Sequence, residues 1–216
     1  MPAMTSHPLG EDIFAAYAAG ALSAPMRLLL DSQAELDRQT GGFVSTADAI
    51  GGALLDEISP AELSAGALDK ALAAIAADPS QTAPLNDLDP EFAGLPAAVR
   101  RRVRAAGGRW KFAGPGVKYL PLLEEDGAKA ELIRIEPGRG VPQHSHEGRE
   151  FGLVLRGAFS DDRGRFGPGE LCQAGPEVTH KPVAEDGDIC ITLAVTDGPL
   201  AFTGPLGWVQ RALRLN

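Results

Sequence analysis

Three of the four histidines in this 216-residue chain stand with a carboxylate in one constellation: Gly138-x5-His144-Ser145-His146-x3-Glu150-x6-Gly157, with His180 further on. Side chains alternate faces along a β-strand, so His144 and His146 point the same way. Neutral imidazole suits zinc, iron, copper and nickel, and one added carboxylate extends the range to manganese. Glu150 lies an even number of residues along and can return to that face, along the strand or across to it. His180 would close the site from another strand. The competing reading, hydrogen-bonded histidines in a polar barrel mouth, does not explain why three of four histidines gather here.

The surrounding residues predict elements able to hold such a site. Pro137, Gly138, Gly140 and Pro142 mark a turn before the first histidine, and Phe151 to Leu155 reads as a buried strand. A second turn cluster, Gly164 to Gly169, precedes a short extended stretch, and Gly175-Pro176 turns the chain before His180. Asp188 to Val195 is a further strand. Short strands punctuated by Gly and Pro predict an antiparallel β-barrel or jelly roll. The spacing Gly-x5-His-x-His-x3-Glu-x6-Gly resembles the first cupin motif at every fixed position. The second cupin motif is only partly kept: His180 follows Gly175-Pro176 in an altered order, and the usual downstream Asn is absent from Lys181-Pro182-Val183-Ala184.

Composition narrows the class. Hydrophobic residues make up 44% of the chain, ordinary for a globular protein, and no run approaches eighteen apolar residues. The first residues lack a basic segment followed by an apolar run, so no secretion signal or membrane span is expected. Cys172 and Cys190 cannot build a disulfide framework, which suits a reducing cytoplasm; with no CxxC, both read as buried thiols. Charge is uneven. Residues 1–95 carry 3 basic against 14 acidic residues, a net of −11, whereas the remainder carries 17 against 15, a net of +2. The first half therefore repels phosphates and is no nucleic-acid site, while a basic protein partner suits it.

Four amphipathic helices are predicted over residues 10–77. The first runs from Asp12 to Ala21, with Ile13, Phe14, Tyr17 and Leu22 on its apolar side. The second runs from Pro25 to Thr40, with Gly41-Gly42 as its stop. A third spans Ser45 to Glu57 and presents Ala49, Ile50, Ala53 and Leu54. The fourth begins at the capping box Ser59-Pro60-Ala61-Glu62, carries Leu63, Leu68, Leu72 and Ile75, and ends at Asp78-Pro79. Each apolar stripe alone reads as core, but a bundle of about 70 residues has a small core, so some exposed apolar face is expected. A further helix runs from Pro96 to Ala106. The fold is thus α+β in two domains: a helical bundle at 1–80, a linker at 81–98 and the barrel at 99–216.

The two halves in this order resemble the ChrR family of anti-sigma factors. The resemblance rests on His7, Ala15-Ala16-Tyr17-Ala18-Ala19-Gly20-Ala21-Leu22, Gly51-Gly52-Ala53-Leu54-Leu55, the cupin ligands and Leu193-Ala194-Val195-Thr196-Asp197. It implies that the helical domain binds an extracytoplasmic-function sigma factor. It further implies that the cupin governs release on a small-molecule or oxidative signal, with His144, His146, Glu150 and His180 ligating one divalent metal. Zinc is the expected ion, with iron, manganese and nickel as chemical alternatives. One family feature is missing. The helical domain of these proteins holds zinc through an early histidine plus His-x3-Cys-x2-Cys; here Gln33, Asp37 and Thr40 stand at those three positions and only His7 persists. Two donors cannot build a closed tetrahedral site, so no zinc is expected there, and packing within the chain or a homodimer would compensate.

The alternative from another class is a cupin metalloenzyme, a dioxygenase or isomerase, with helices that dimerise or cover the barrel. Its acid–base candidates would be Glu147, Arg149 and Lys181, which read more simply as solvated surface residues. Arg100-Arg101-Arg102-Val103-Arg104 with Arg109 and Lys111 is a basic run; it reads as a solvated helix face or a patch toward the acidic half, and Trp110 and Phe112 beside it are assigned to a strand.

Overall fold

The computed structural model describes residues 9–77, 88–197 and 200–202. Helices α1 (Glu11–Ala18), α2 (Ala24–Leu36), α3 (Arg38–Asp56) and α4 (Ala67–Ala77) come first. A 3₁₀ turn at Pro90–Phe92 and helix α5 (Ala97–Ala105) lead into eleven strands among the described residues. These are β1 (Lys111–Gly114), β2 (Val117–Glu125), β3 (Ala128–Ile135), β4 (His144–His146), β5 (Glu150–Arg156), β6 (Phe159–Asp161), β7 (Gly164–Phe166), β8 (Leu171–Ala174), β9 (Val183–Ala184), β10 (Cys190–Thr196) and β11 (Leu200–Phe202). Every pairing is antiparallel, in a six-stranded sheet ordered β1-β2-β3-β10-β5-β8, a pair β11-β4 and a three-stranded sheet β7-β6-β9. The α+β architecture is the one the sequence predicts.

The six-stranded sheet is a middle layer, and the alternation of side chains accounts for it. Phe151, Leu153 and Leu155 of β5, Ile191, Leu193 and Val195 of β10, and Ala130 and Leu132 of β3 share one core with Leu28, Leu29 and Leu30 of α2 and Val99 and Val103 of α5. The opposite face contributes Val154, Ile135, Cys172 and Cys190 to a second core with Phe159 and Ala184 of the small sheet. Both faces are dry, so β5 and β10 are apolar nearly throughout instead of alternating. Helix α2 touches α3, α5, β2, β3 and β10, which is why three consecutive leucines are all buried.

Several elements differ from expectation. The second helix ends at Leu36, because the Asp37 carboxylate accepts from the backbone N–H and hydroxyl of Thr40 and caps a new helix. Gly41 and Gly42 are then no stop: they lie inside α3, and a Cβ on Gly41 would stand 3.0 Å from the Ala34 carbonyl, so glycine permits the close α2–α3 corner. The box at Ser59 starts no helix. Gly66 sits at φ +75°, and α4 begins after it; a cap worth about 1 kcal/mol cannot carry a helix through that residue. Residues 88–96, expected as linker, send Phe92 and Leu95 into the main core. Trp110 lies before β1, stacked on Phe92 and donating to Glu91 at 2.7 Å, while Phe112 is in β1 and exposed. In the basic run Val103 is buried, as is Val99 just before it, while Arg101 and Arg102 are solvated.

The apolar stripes divide. Ile13 is buried and Phe14, Tyr17 and Leu22 pack against the core, but Ile50, Leu54, Leu55, Leu68, Leu72 and Ile75 are exposed. No residue of α4 is buried. Among the described residues, no helix is long and apolar enough to cross a membrane.

Candidate metal centre

The four residues singled out by spacing come together. His144 and His146, both buried, are the two ends of β4 and share a face. Glu150 reaches them from the first position of β5, separated from β4 by a short turn. His180 belongs to no strand; it joins through an isolated antiparallel bridge to His144. Gly157, which closes the motif, ends the β5 segment at φ +67°, where a Cβ would lie 2.2 Å from the Ile189 carbonyl. Glycine alone lets the chain leave the sheet there, just past a register shift between β5 and β10 at Ile191/Thr192.

The donor atoms converge within 4.8 Å of one another. His180 Nε2 lies 3.0 Å from His144 Nε2 and 3.2 Å from His146 Nε2, and Glu150 Oε2 lies 3.1 Å from His146 Nε2 and 3.3 Å from His180 Nε2. His144 Nδ1 donates to the Pro142 carbonyl at 2.8 Å, which turns the Nε2 lone pair inward. Lone pairs facing each other at such distances repel unless a cation or a shared proton stands between them. Three imidazoles and one carboxylate are the donor set that zinc, iron, manganese or nickel accepts, so the residues fit a divalent ion.

Electrostatics agree with that chemistry. Burial lowers the His144 pKa and favours the neutral, ligating form, against the Pro142 carbonyl and Glu150. Burial alone would raise Glu150, yet the His146 and His180 imidazoles beside it hold its carboxyl well below the usual range. His180 is pulled down by burial, but contacts with Cys172 and Glu150 outweigh this and push it up to about 9. A proton on His180 competes with a metal for the same lone pair.

Behind His180 lies a group of residues that spacing did not reveal. Asp161, the last residue of β6, has no exposed side-chain surface, and its Oδ2 lies 3.2 Å from His180 Nδ1. Arg163 brackets it with two side-chain contacts and a backbone N–H. The run Asp161-Asp162-Arg163-Gly164 reads as a hairpin tip, and nothing local announces that one of its carboxylates turns inward. Glu147, Arg149 and Lys181, the residues considered for acid–base work, are exposed. Arg149 is engaged instead by Asp197 at 3.1 Å.

At the α2–α3 corner, the positions matching the family's second-helix zinc run form a polar cluster: Gln33 and Thr40 are buried, and Asp37 caps α3. His7 lies outside the described residues.

Comparison with known proteins agrees with this architecture. Residues 99–201 match the family model described as the ChrR cupin-like domain. The anti-sigma-E factor ChrR of Cereibacter sphaeroides is 39% identical over 197 residues, covering 91% of this chain and 92% of that protein. The crystal structure of Rhodobacter sphaeroides SigE in complex with the anti-sigma ChrR matches with a TM-score of 0.63 at 38% identity, over 88% of this chain and 98% of that one. With helices, cupin strands and sequence related along nearly the whole length, the chain belongs to the ChrR family of anti-sigma factors.

Proposed function

We propose that this protein is an anti-sigma factor of the cytoplasm that binds an extracytoplasmic-function sigma factor through residues 1–80 and carries a metal-dependent sensor at 99–216. The observation that carries the reading is the unpartnered apolar face of α3 and α4, with Leu54 65% and Leu72 54% exposed. A surface of this kind on a chain of this family suits a helical partner laid along it. Asp48 and Asp56 of α3, Glu57 after it and Asp69 of α4 are exposed, and their charge favours a basic counterpart, as a DNA-binding sigma factor presents. Copurification with a sigma factor, lost when Leu54 and Leu72 become Asp, tests the reading; a variant retaining its partner would sink it.

His144, His146, Glu150 and His180 are proposed as ligands of one divalent ion per chain, zinc foremost. Such an ion supplies a Lewis-acidic centre and a cross-link between the segments that carry the ligands. The protein's own contribution is to present three imidazoles with lone pairs inward, to keep Glu150 ionised and to exclude bulk water. A small molecule or oxidant acting at this centre would be the signal that alters sigma binding. No zinc is proposed in the helical module, where the Asp37–Thr40 cap stands at two of the ligand positions.

A further inference from the structure

We infer that Asp161 is the positioning residue for His180, and that Arg163 is a built-in cation holding Asp161 in that role and leaving the centre with a single ion. The inference rests on His180 being a ligand. Asp161, Cys172 and His180 by themselves form a second set of potential donors within 4.8 Å of one another, so the cluster must be either a second metal site or a support for the first. Arg163 decides between them. Its Nη2 lies 2.6 Å from Asp161 Oδ2, 2.9 Å from Cys172 Sγ and 2.9 Å from His180 Nδ1. A guanidinium therefore stands where a second metal would have to sit. Its Nη1 donates to the Gln173 carbonyl at 2.7 Å, which anchors the group to β8.

An inward Nε2 lone pair requires the His180 hydrogen on Nδ1, where Asp161 Oδ2, which can only accept, lies 3.2 Å away. Nη2 has two hydrogens for three neighbours, and giving them to Asp161 Oδ2 and Cys172 Sγ leaves Nδ1–H free to donate. With its hydrogen on Nδ1, His180 turns the Nε2 lone pair toward His144, His146 and Glu150. A carboxylate in this position also raises the basicity of the ligating nitrogen. Both oxygens of Asp161 are engaged: Oδ1 accepts from the Arg163 backbone, and Oδ2 from the Arg163 side chain and His180. His144 receives the equivalent support from a backbone carbonyl, so two of the three imidazoles are oriented from behind.

The test measures zinc affinity of the full chain by competition with a chromophoric chelator, together with the visible spectrum of the cobalt-loaded protein and the melting of the metal-free form. Asp161→Ala should weaken zinc binding by about 10- to 100-fold. Asp161→Asn, which keeps an acceptor oxygen in the same place, should fall between it and the parent and shift the cobalt band; metal-free melting reports any purely structural loss separately. The parent chain should hold one ion without thiolate-to-cobalt absorption. Unchanged affinity in both variants, or a second ion with a thiolate band in the parent, overturns the inference while the main centre stands. A parent chain that binds no metal overturns the ligand assignment itself.

Discussion

His144 and His180 are joined through their main chains, each donating its backbone N–H to the other's carbonyl, at 3.1 and 3.0 Å. Their Nε2 atoms stand 3.0 Å apart. Residues 36 positions apart in sequence are thus paired by the same kind of bond that builds a sheet, so the spacing of two proposed ligands is set by backbone before any ion binds. Preorganisation of this kind lowers the cost of ordering side chains on binding.

Replacing His146 removes the ligand whose Nε2 lies 3.1 Å from Glu150 Oε2 and 3.2 Å from His180 Nε2. His146→Ala should leave metal content at or below about a tenth of the parent's after dialysis, because three remaining donors bind a divalent ion far more weakly than four. Elemental analysis of the purified protein checks it. Full occupancy would show that the ligands lie elsewhere.

The exposed face of α3 and α4 separates binding from stability. Leu54→Asp or Leu72→Asp should change folding stability by no more than about 0.5 kcal/mol, since neither side chain is buried. Each should weaken sigma-factor binding by about 2 kcal/mol, roughly thirty-fold, if it lies at the centre of the interface. Calorimetric titration alongside thermal melting reads both quantities. A large loss of stability with binding intact would contradict the assignment of this face.

The α2–α3 corner should be indifferent to metal. In a His146→Ala background, which removes the cupin ion, adding a chelator should leave the melting curve unchanged. Asp37→Ala should cost about 1 kcal/mol by removing the α3 cap, a fall of roughly 2–4 °C in Tm. One equivalent of zinc retained by the His146→Ala chain and released together with helicity would show a helical-domain site after all.

Cys190 should be nearly inert. Burial pushes its thiol up to about 11, against a hydrogen bond with Thr192 that acts the other way. Near pH 8 the thiolate fraction then falls roughly a hundred-fold below that of a free cysteine, and only the thiolate attacks. Alkylation by iodoacetamide, followed residue by residue in the folded chain, should be slower at Cys190 by at least that factor. A rate like that of the unfolded chain would mean that the thiol is accessible and ionised.

Local pattern was enough to identify part of this molecule. Spacing put His144 and His146 on one face with Glu150 in reach, because strand alternation is a property of neighbouring residues, and the likeness to the cupin motifs added His180 and the ligand role of Glu150. The same locality made the amphipathic helices and the β5 and β10 runs legible. Where local signals competed, neighbours could not arbitrate. The Asp37 cap overrode a longer helical period, and the left-handed Gly66 overrode a capping box at Ser59. Tertiary structure alone decided that α2 shares a core with the six-stranded sheet and that the stripes of α3 and α4 remain open, since periodicity shows that a face is apolar and not what covers it. It also turned Asp161 inward beneath His180. That contact joins a hairpin tip to a distant bridge residue, and a hydrogen bond across nineteen positions follows from topology, which no window of sequence contains.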